Sequence, residues 1–242
     1  MDGITDIHNH ILFGVDDGAD SLEISLEILK REYQQGVNKI ILTPHYDIGQ
    51  YRSEPKVIRT HYEQLKKKAK EILPDMELFL GNEILECNDM VQLLDSGRIF
   101  SLAGSRYVLV EFYPSVQYSI MEKSLKELLN GGYIPIIAHC ERYKCLRAAF
   151  KVIHEKNISH LIEMGAYMQV NVTSVFGRDS KFVLKMIDND YLHFVASDAH
   201  GLEKRGVHWD KCFKFLNKKY NTKYLEQLLV KNPEKILKNE YV

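Results

Sequence analysis

No stretch of this chain approaches the roughly 20 consecutive apolar residues that a membrane-spanning helix needs, so membrane insertion is not expected. The opening MDGITDIHNH lacks both the basic start and the apolar run of a secretory signal. Cys87, Cys140, Cys145 and Cys212 form no Cys-x-x-Cys pair and no close-set disulfide framework, which points to a reduced, cytoplasmic protein. An excess of charge is missing too. The 32 basic residues face 33 acidic ones, and a net charge of −1 gives no electrostatic reason to expect nucleic acid or an anionic membrane. Repeats, low-complexity tracts and Pro/Gly/Ser linkers are also absent, so one domain over residues 1–242 is the expectation.

What is present is alternation. Short β-branched runs at Ile4–His8, Lys39–Thr43, Glu77–Gly81, Tyr107–Glu111, Pro135–His139, Met168–Asn171 and His193–Ser197 read as strands, separated by stretches with helical apolar spacing. Leu22, Leu26, Leu29 and Tyr33 mark one such helix, with Asp20–Ser21 as its N-cap signal and Gly36 as its stop. Asn232–Pro233–Glu234 is expected to open the last helix. Lys66–Lys67–Lys68 falls on a helical pattern and reads as a solvated face. Seven strands, each feeding a helix or loop, argue for a parallel α/β sheet with right-handed crossovers. A closed or nearly closed seven-stranded barrel fits best, and an open doubly wound sheet has the same local pattern.

Histidines and carboxylates collect where these strands end. His8 and His10 close the first, with Asp17 following; His45 closes the second, Glu83 follows the third, and Glu111 closes the fourth. His139 closes the fifth, and Asp198 and His200 the last. Catalytic groups of a β/α barrel come from these C-terminal strand ends. His8 and His10, two apart on a strand, share a face and can chelate. A single His or Glu at a strand end is more often a cap or a surface charge; the joint pattern at six strands outweighs that reading. Five imidazoles and four carboxylates without a thiolate suit Mn, Fe or Zn and disfavour a structural zinc site. Nine ligands fit two or three ions, not one. Three divalent ions with the four carboxylates and a bridging hydroxide leave about +1, a pocket suited to a phosphate dianion. His61, His154, His160, His193 and His208 read as structural or exposed, and Cys140 as a small core residue facing away from the ligands.

The blocks DIHNHILFGVDDGAD, Gly81–Glu83, Val110–Phe112, Ile137–Tyr143 and Val195–His200 resemble the PHP (polymerase and histidinol phosphatase) superfamily. Within it they are most similar to the bacterial manganese-dependent tyrosine-protein phosphatases of capsular and exopolysaccharide operons, over nearly the whole chain. The resemblance implies a distorted (β/α)7 TIM-like barrel with Mn²⁺ as the leading metal. It places one ion on His8, His10, Glu83 and Asp198, a second on Glu83, Glu111 and His139, and a third on Asp17, His45 and His200. It assigns Arg142 and Arg205 to the phosphate, and a phosphotyrosine protein, such as a bacterial tyrosine kinase tail, as partner. A metal-bound hydroxide would attack phosphorus in line. The cysteine route requires Cys-x5-Arg, and the residues six beyond the four cysteines are Leu93, Leu146, Lys151 and Lys218, which excludes it. The rival readings are histidinol-phosphate phosphatase, which the ligands cannot separate, and a non-catalytic module or exonuclease, against which the intact ligand set and the lack of a basic groove argue.

Overall fold

The computed structural model describes residues 1–148 and 152–242. Its sheet is parallel throughout apart from one small hairpin. The strands are β1 (Ile4–Asp6), β2 (Val37–Leu42), β3 (His45–Tyr46), β4 (Glu77–Leu80), β5 (Glu83–Leu85), β6 (Tyr107–Glu111) and β7 (Ile134–Ile137). An antiparallel pair, β8 (Arg147–Ala148) and β9 (Val152–Ile153), precedes β10 (Tyr167–Asn171) and β11 (Phe194–Ala196). One ladder runs β1-β2-β4 and another β11-β10-β7-β6-β5-β3.

The two ladders are continuous with one another. Lys39 pairs with Glu77 and Leu42 with Leu80, and the same offset resumes at His45 with Glu83. Both chains therefore jog together across Thr43–Pro44 and Gly81–Asn82. Proline cannot donate a ladder bond, and the Asn82 side chain fills in, donating to the Pro44 carbonyl at 2.9 Å and accepting from Phe100 N at 2.8 Å. Gly81 suits this close packing, since a Cβ would stand 2.8 Å from Leu102 Cδ2 and 3.2 Å from Leu102 Cα. At the other margin Asp198 N donates to His8 O and His10 N to Ala199 O, both at 2.8 Å, and Asn9 bridges to Ala199. The sheet thus curls until β1 meets the end of β11.

Alternation sorts the side chains into two cores. Along β6, Tyr107 and Leu109 face the inside of the curl, while Val108 and Val110 join the larger core under the helices. Ile134, Ile136, Phe194 and Ala196 fill the same interior. The outer core takes α1 (Leu22–Gln34), α2 (Pro55–Ile72), α3 (Met90–Asp95), α4 (Tyr118–Asn130), α5 (Glu155–Glu163), α6 (Val172–Phe176), α7 (Ser180–Asp188) and α8 (Trp209–Leu216). Ser21 caps α1 through Ile24 N, and Gly36, at φ 94°, ends it, as its left-handed backbone suits glycine. Lys66, Lys67 and Lys68 lie on the exposed face of α2.

Asn232–Pro233 opens the last helix, α10 (Asn232–Leu237), with the proline in its first turn, and a π turn, Gln227–Lys231, joins it without a break to α9 (Thr222–Glu226). The wide turn lies just before Pro233, where the missing N–H would otherwise interrupt an α-helical ladder.

Leu109 is fully buried at the centre of the inner core. Leu109→Ala is expected to cost about 2–5 kcal/mol of unfolding free energy in urea titrations. Ile72→Ala, on a side chain 44% exposed, is expected to stay within about 0.5 kcal/mol of the parent. Equal effects at the two positions would refute the division into inner core and surface.

Candidate metal centre

The inward face of each strand ends in polar chemistry. Glu111 continues the Tyr107–Leu109 face of β6, and Asp198 continues the Phe194–Ala196 face of β11. All nine predicted residues meet there. His8, His10, Glu83, His139, Asp198 and His200 are buried, His45 and Glu111 are half-buried, and Asp17 is exposed at the rim.

Glu83 is the hub. Its Oε2 lies 3.2 Å from His8 Nε2, 3.1 Å from His10 Nε2 and 3.0 Å from His45 Nδ1. Its Oε1 is 2.8 Å from His139 Nε2, which stands 3.3 Å from Glu111 Oε1. Asp198 Oδ1 is 3.5 Å from both His8 and His10 Nε2. Asp17 Oδ1 faces His45 Nε2 at 3.5 Å and His200 Nε2 at 3.4 Å. Four groups place their ligand atoms within 4.8 Å of one another: His10–Asp17–His45–His200, His8–His10–Asp198, His8–Glu83–His139 and His45–Glu83–Glu111.

These residues fit a metal on their own chemistry. Glu83 Oε2 and His200 Nε2 are buried without a hydrogen-bond partner, and an orphaned polar atom is costly unless something occupies the point it faces. The far nitrogens of the rings are already engaged. His8 Nδ1 meets Gln169 Oε1 at 3.2 Å, His10 Nδ1 meets Asp16 Oδ2 at 2.7 Å and His200 Nδ1 meets the Asp198 carbonyl at 2.9 Å. Such partners fix the tautomer that leaves Nε2 free as a ligand.

Electrostatics is tuned in the same direction. Burial alone would push the Glu83 carboxyl up, yet His8, His10 and His139 hold it well below the usual carboxylate range. For Asp198, burial is likewise outweighed, by His8 and Arg142, and its carboxyl is also held down. His10 is opposed by burial but lifted to about 10 by Asp16 and Glu83, and His139 reaches about 9. A cation entering here must displace those protons.

Arg142 and Arg205 converge from two loops. Arg142 Nη2 donates to Asp198 Oδ2 at 2.7 Å and Arg205 Nη2 to Oδ1 at 3.0 Å, with the two side chains 40% and 42% exposed, so both guanidiniums remain reachable from solvent. Arg142 thus pairs across the site and not with its neighbour Glu141, whose buried carboxylate accepts from Asn171 N. His139, Asp198 and Arg205 all have positive φ, at 32°, 51° and 52°. Strained backbone of this kind persists where surrounding contacts over-determine it.

Sequence reasoning missed four supports. Asp16 holds His10 and accepts from His45 N at 2.9 Å. Gln169 also accepts from His139 N at 2.7 Å, and Asn171 donates to Asp198 Oδ2 at 2.6 Å. Tyr143 OH lies 3.3 Å from His139 Nδ1 and accepts from Phe112 N at 3.0 Å. The signal for Gln169 and Asn171 was available: polar residues at alternate positions of an otherwise apolar strand, β10, the one predicted strand that carries no ligand. Asp16 was masked by Asp17 beside it. Gly18 lets this loop close, because a Cβ there would lie 1.9 Å from the His10 carbonyl oxygen.

The remaining histidines do lie elsewhere: His61 Nδ1 meets the Phe13 carbonyl, His160 meets Tyr118 OH and His193 accepts from Met168 N. No thiol serves as a nucleophile in this environment. Cys140 and Cys212 are fully buried in the outer core, and burial pushes the Cys87 thiol up to about 11.

A family model described as "Capsular polysaccharide synthesis, CpsB/CapC" matches residues 4–238. The tyrosine-protein phosphatase CpsB of Streptococcus pneumoniae is 35% identical over 98% of this chain and 99% of its own length. The tyrosine-protein phosphatase YwqE of Bacillus subtilis (strain 168) is 34% identical, over 98% of this chain and 92% of its own. A crystal structure from work on YwqE of B. subtilis and CpsB of S. pneumoniae, described as unique metal-dependent tyrosine phosphatases, superposes with a TM-score of 0.88. It is 32% identical and covers 99% of this chain and 96% of that one. A phosphotriesterase homology protein from Escherichia coli, complexed with phosphate, shares the fold alone at a TM-score of 0.62 and 13% identity, over 97% of this chain and 98% of that one.

Asp16→Asn keeps the shape of the side chain but loses the charge that orients His10. Metal titration should show about 10–100-fold weaker binding of at least one ion, a typical loss for a carboxylate behind a ligating histidine. Unchanged metal affinity and stoichiometry would remove Asp16 from the centre's support.

Proposed function

The chain belongs to the CpsB/CapC family of capsular polysaccharide synthesis proteins, and from that premise we propose that it is a metal-dependent protein-tyrosine phosphatase, a phosphoric monoester hydrolase. The observation that carries the reading is a buried histidine–carboxylate cluster centred on Glu83, with Arg142 and Arg205 at its accessible rim.

The finer assignments belong to the same proposal. We read the strand passes β1, β2–β3, β4–β5, β6, β7, β10 and β11 as a distorted (β/α)7 barrel making one domain over residues 1–242. His8, His10, Asp17, His45, Glu83, Glu111, His139, Asp198 and His200 would hold two or three ions. Mn²⁺ leads, with Fe or Zn as substitutes, since no thiolate is offered. Glu83, present in two of the ligand groups, would bridge. The substrate would be a phosphotyrosine protein such as a bacterial tyrosine kinase tail, met in the cytoplasm. No helix among the described residues is long and apolar enough to cross a membrane.

When bound, the metals supply a lowered pKa for water and positive charge beside the phosphate oxygens. The chain's own residues do the rest. Asp16, Gln169 and the Asp198 carbonyl hold the imidazole rings in register. Arg142 and Arg205 each use part of a donor-rich guanidinium on Asp198, and the remaining N–H groups can grip equatorial phosphate oxygens as charge redistributes. The phenolate of tyrosine departs without strong acid assistance, and no covalent phosphoenzyme is needed.

Dialysis against EDTA is expected to abolish turnover of a phosphotyrosine peptide, with Mn²⁺ restoring it, while alkylation of the cysteines leaves the rate nearly unchanged. Full turnover by metal-free protein would overturn the reading. Preference for histidinol phosphate in a parallel assay would redirect it to a small metabolite.

Arg142→Ala and Arg205→Ala are expected to retain their metals and lose on the order of 10²-fold in kcat/KM, comparable to removing one oxyanion donor. Lysine at either position should rescue only in part, since it restores charge without the planar fork. Wild-type kinetics in both alanine variants, with full metal content, would show that neither arginine grips phosphate.

A further inference from the structure

We propose that Tyr51, stacked on His45 at the edge of the cluster, forms the surface that receives the aromatic ring of the substrate and so selects aryl over alkyl phosphates. The inference rests on the phosphatase reading above and specifies how that site recognises its substrate.

The Tyr51 ring lies over the imidazole of His45, with centroids 5.4 Å apart and planes within 15° of parallel. His45 in turn lies against the rings of His10, at 4.2 Å, and His200, at 6.0 Å, so Tyr51 adjoins the buried cluster through His45. It is partly exposed, and its backbone is fixed. Asp47 N donates to Tyr51 O at 2.7 Å and Tyr51 N to Asp47 O at 2.9 Å, closing a tight turn that Gly49 N braces on Asp47 Oδ1 at 2.8 Å. The Tyr51 hydroxyl accepts from Gln50 Nε2 at 2.8 Å.

Tyr113 stands two residues beyond Glu111, just past the end of β6. It is 65% exposed, and Ile48, in the Tyr51 turn, is 50% exposed. The cationic side adjoins this one: Arg205 Nη1 is 3.4 Å from Asp17, which faces the His45 ring that Tyr51 covers. An aryl phosphate carries its ring immediately beyond the phosphate. A ring-binding surface must therefore sit near the groups that grip the phosphate, and Tyr51 is linked to Arg205 through His45 and Asp17. Stacked and edge-to-face pairs are favoured by the ring quadrupole, whereas an alkyl phosphate offers nothing to match.

The test uses metal-loaded protein and competitive inhibition of phosphotyrosine-peptide hydrolysis by phenylphosphonate and by methylphosphonate. Wild type and Tyr51→Phe should bind the phenyl compound more tightly. Tyr51→Ala should weaken phenylphosphonate about three- to tenfold, the range expected for one lost aromatic pair, and leave methylphosphonate within about twofold. Tyr51→Leu, which keeps the bulk over His45, should show the same selective loss with full metal content by elemental analysis. Equal weakening of both phosphonates, or loss of an ion in Tyr51→Leu, would show that Tyr51 merely supports His45, and an unchanged ratio would exclude it from ring binding. Either result, with wild-type turnover of the peptide intact, overturns this inference alone. Absence of phosphotyrosine turnover in metal-loaded wild type overturns the underlying reading as well.

Discussion

The carboxylate of Glu83 sits where water cannot reach it, with four imidazole nitrogens within 3.2 Å, three of them crowded around one oxygen without the alignment of a hydrogen bond. A buried charge in that setting is tolerable only if opposite charge is supplied at close range. In the protein alone the supply comes from protonated histidine, which explains why His10 and His139 are lifted while Glu83 is held down. A divalent ion does the same with more charge in less space. Much of the surrounding design follows from keeping that one oxygen dry, ionised and aimed.

The jog between β2 and β3, and between β4 and β5, belongs to that design. An unbroken ladder would carry regular alternation through residues 42–46 and 80–84. The shared interruption at Pro44 and Asn82 keeps both the register and that alternation: Ile41 and Phe79 pack inside the curl, Leu42, Tyr46 and Ile84 join the outer core, and His45 and Glu83 meet as direct neighbours on the inner side. Asn82 makes the interruption affordable by taking over the missing backbone bonds. Strand β10 shows the complementary economy of roles. It gives no ligand, and its inward side chains Gln169 and Asn171 instead fix His8, the His139 backbone and Asp198.

Asp198 joins the two functions of the site. Its side chain belongs to a ligand group, accepts from both arginines and from Asn171, and is set on a positive-φ backbone. Charge gathered by the cluster and charge offered to substrate are thereby coupled through one carboxylate. Perturbing either arginine alters the field at the metal side, even though an arginine does not ligate a cation.

A parallel strand at or within each of the seven predicted runs, the caps of the first helix and the positions of all nine cluster residues were legible in the sequence. Each depends on local rules: period-two alternation, strand-end placement and residue chemistry near at hand. His8-x-His10 and Asp198-x-His200 could be paired on paper because residues two apart share a face. The structure alone decided which distant strands adjoin, and hence that Glu83, 38 residues from His45 and 56 from His139, lies against both. It also decided what stands behind the cluster. Asp16 and Tyr143 act through contacts that nothing local announces, whereas Gln169 and Asn171 stood out as polar residues at alternate positions of an apolar strand, yet only the fold shows which groups they hold. The π turn before the last helix was decided at the same level: Pro233 could be read as a helix opener from sequence, but the continuity of the chain ahead of it is seen only in the fold, where Leu228, Leu229 and Ile236 are buried on either side of the proline.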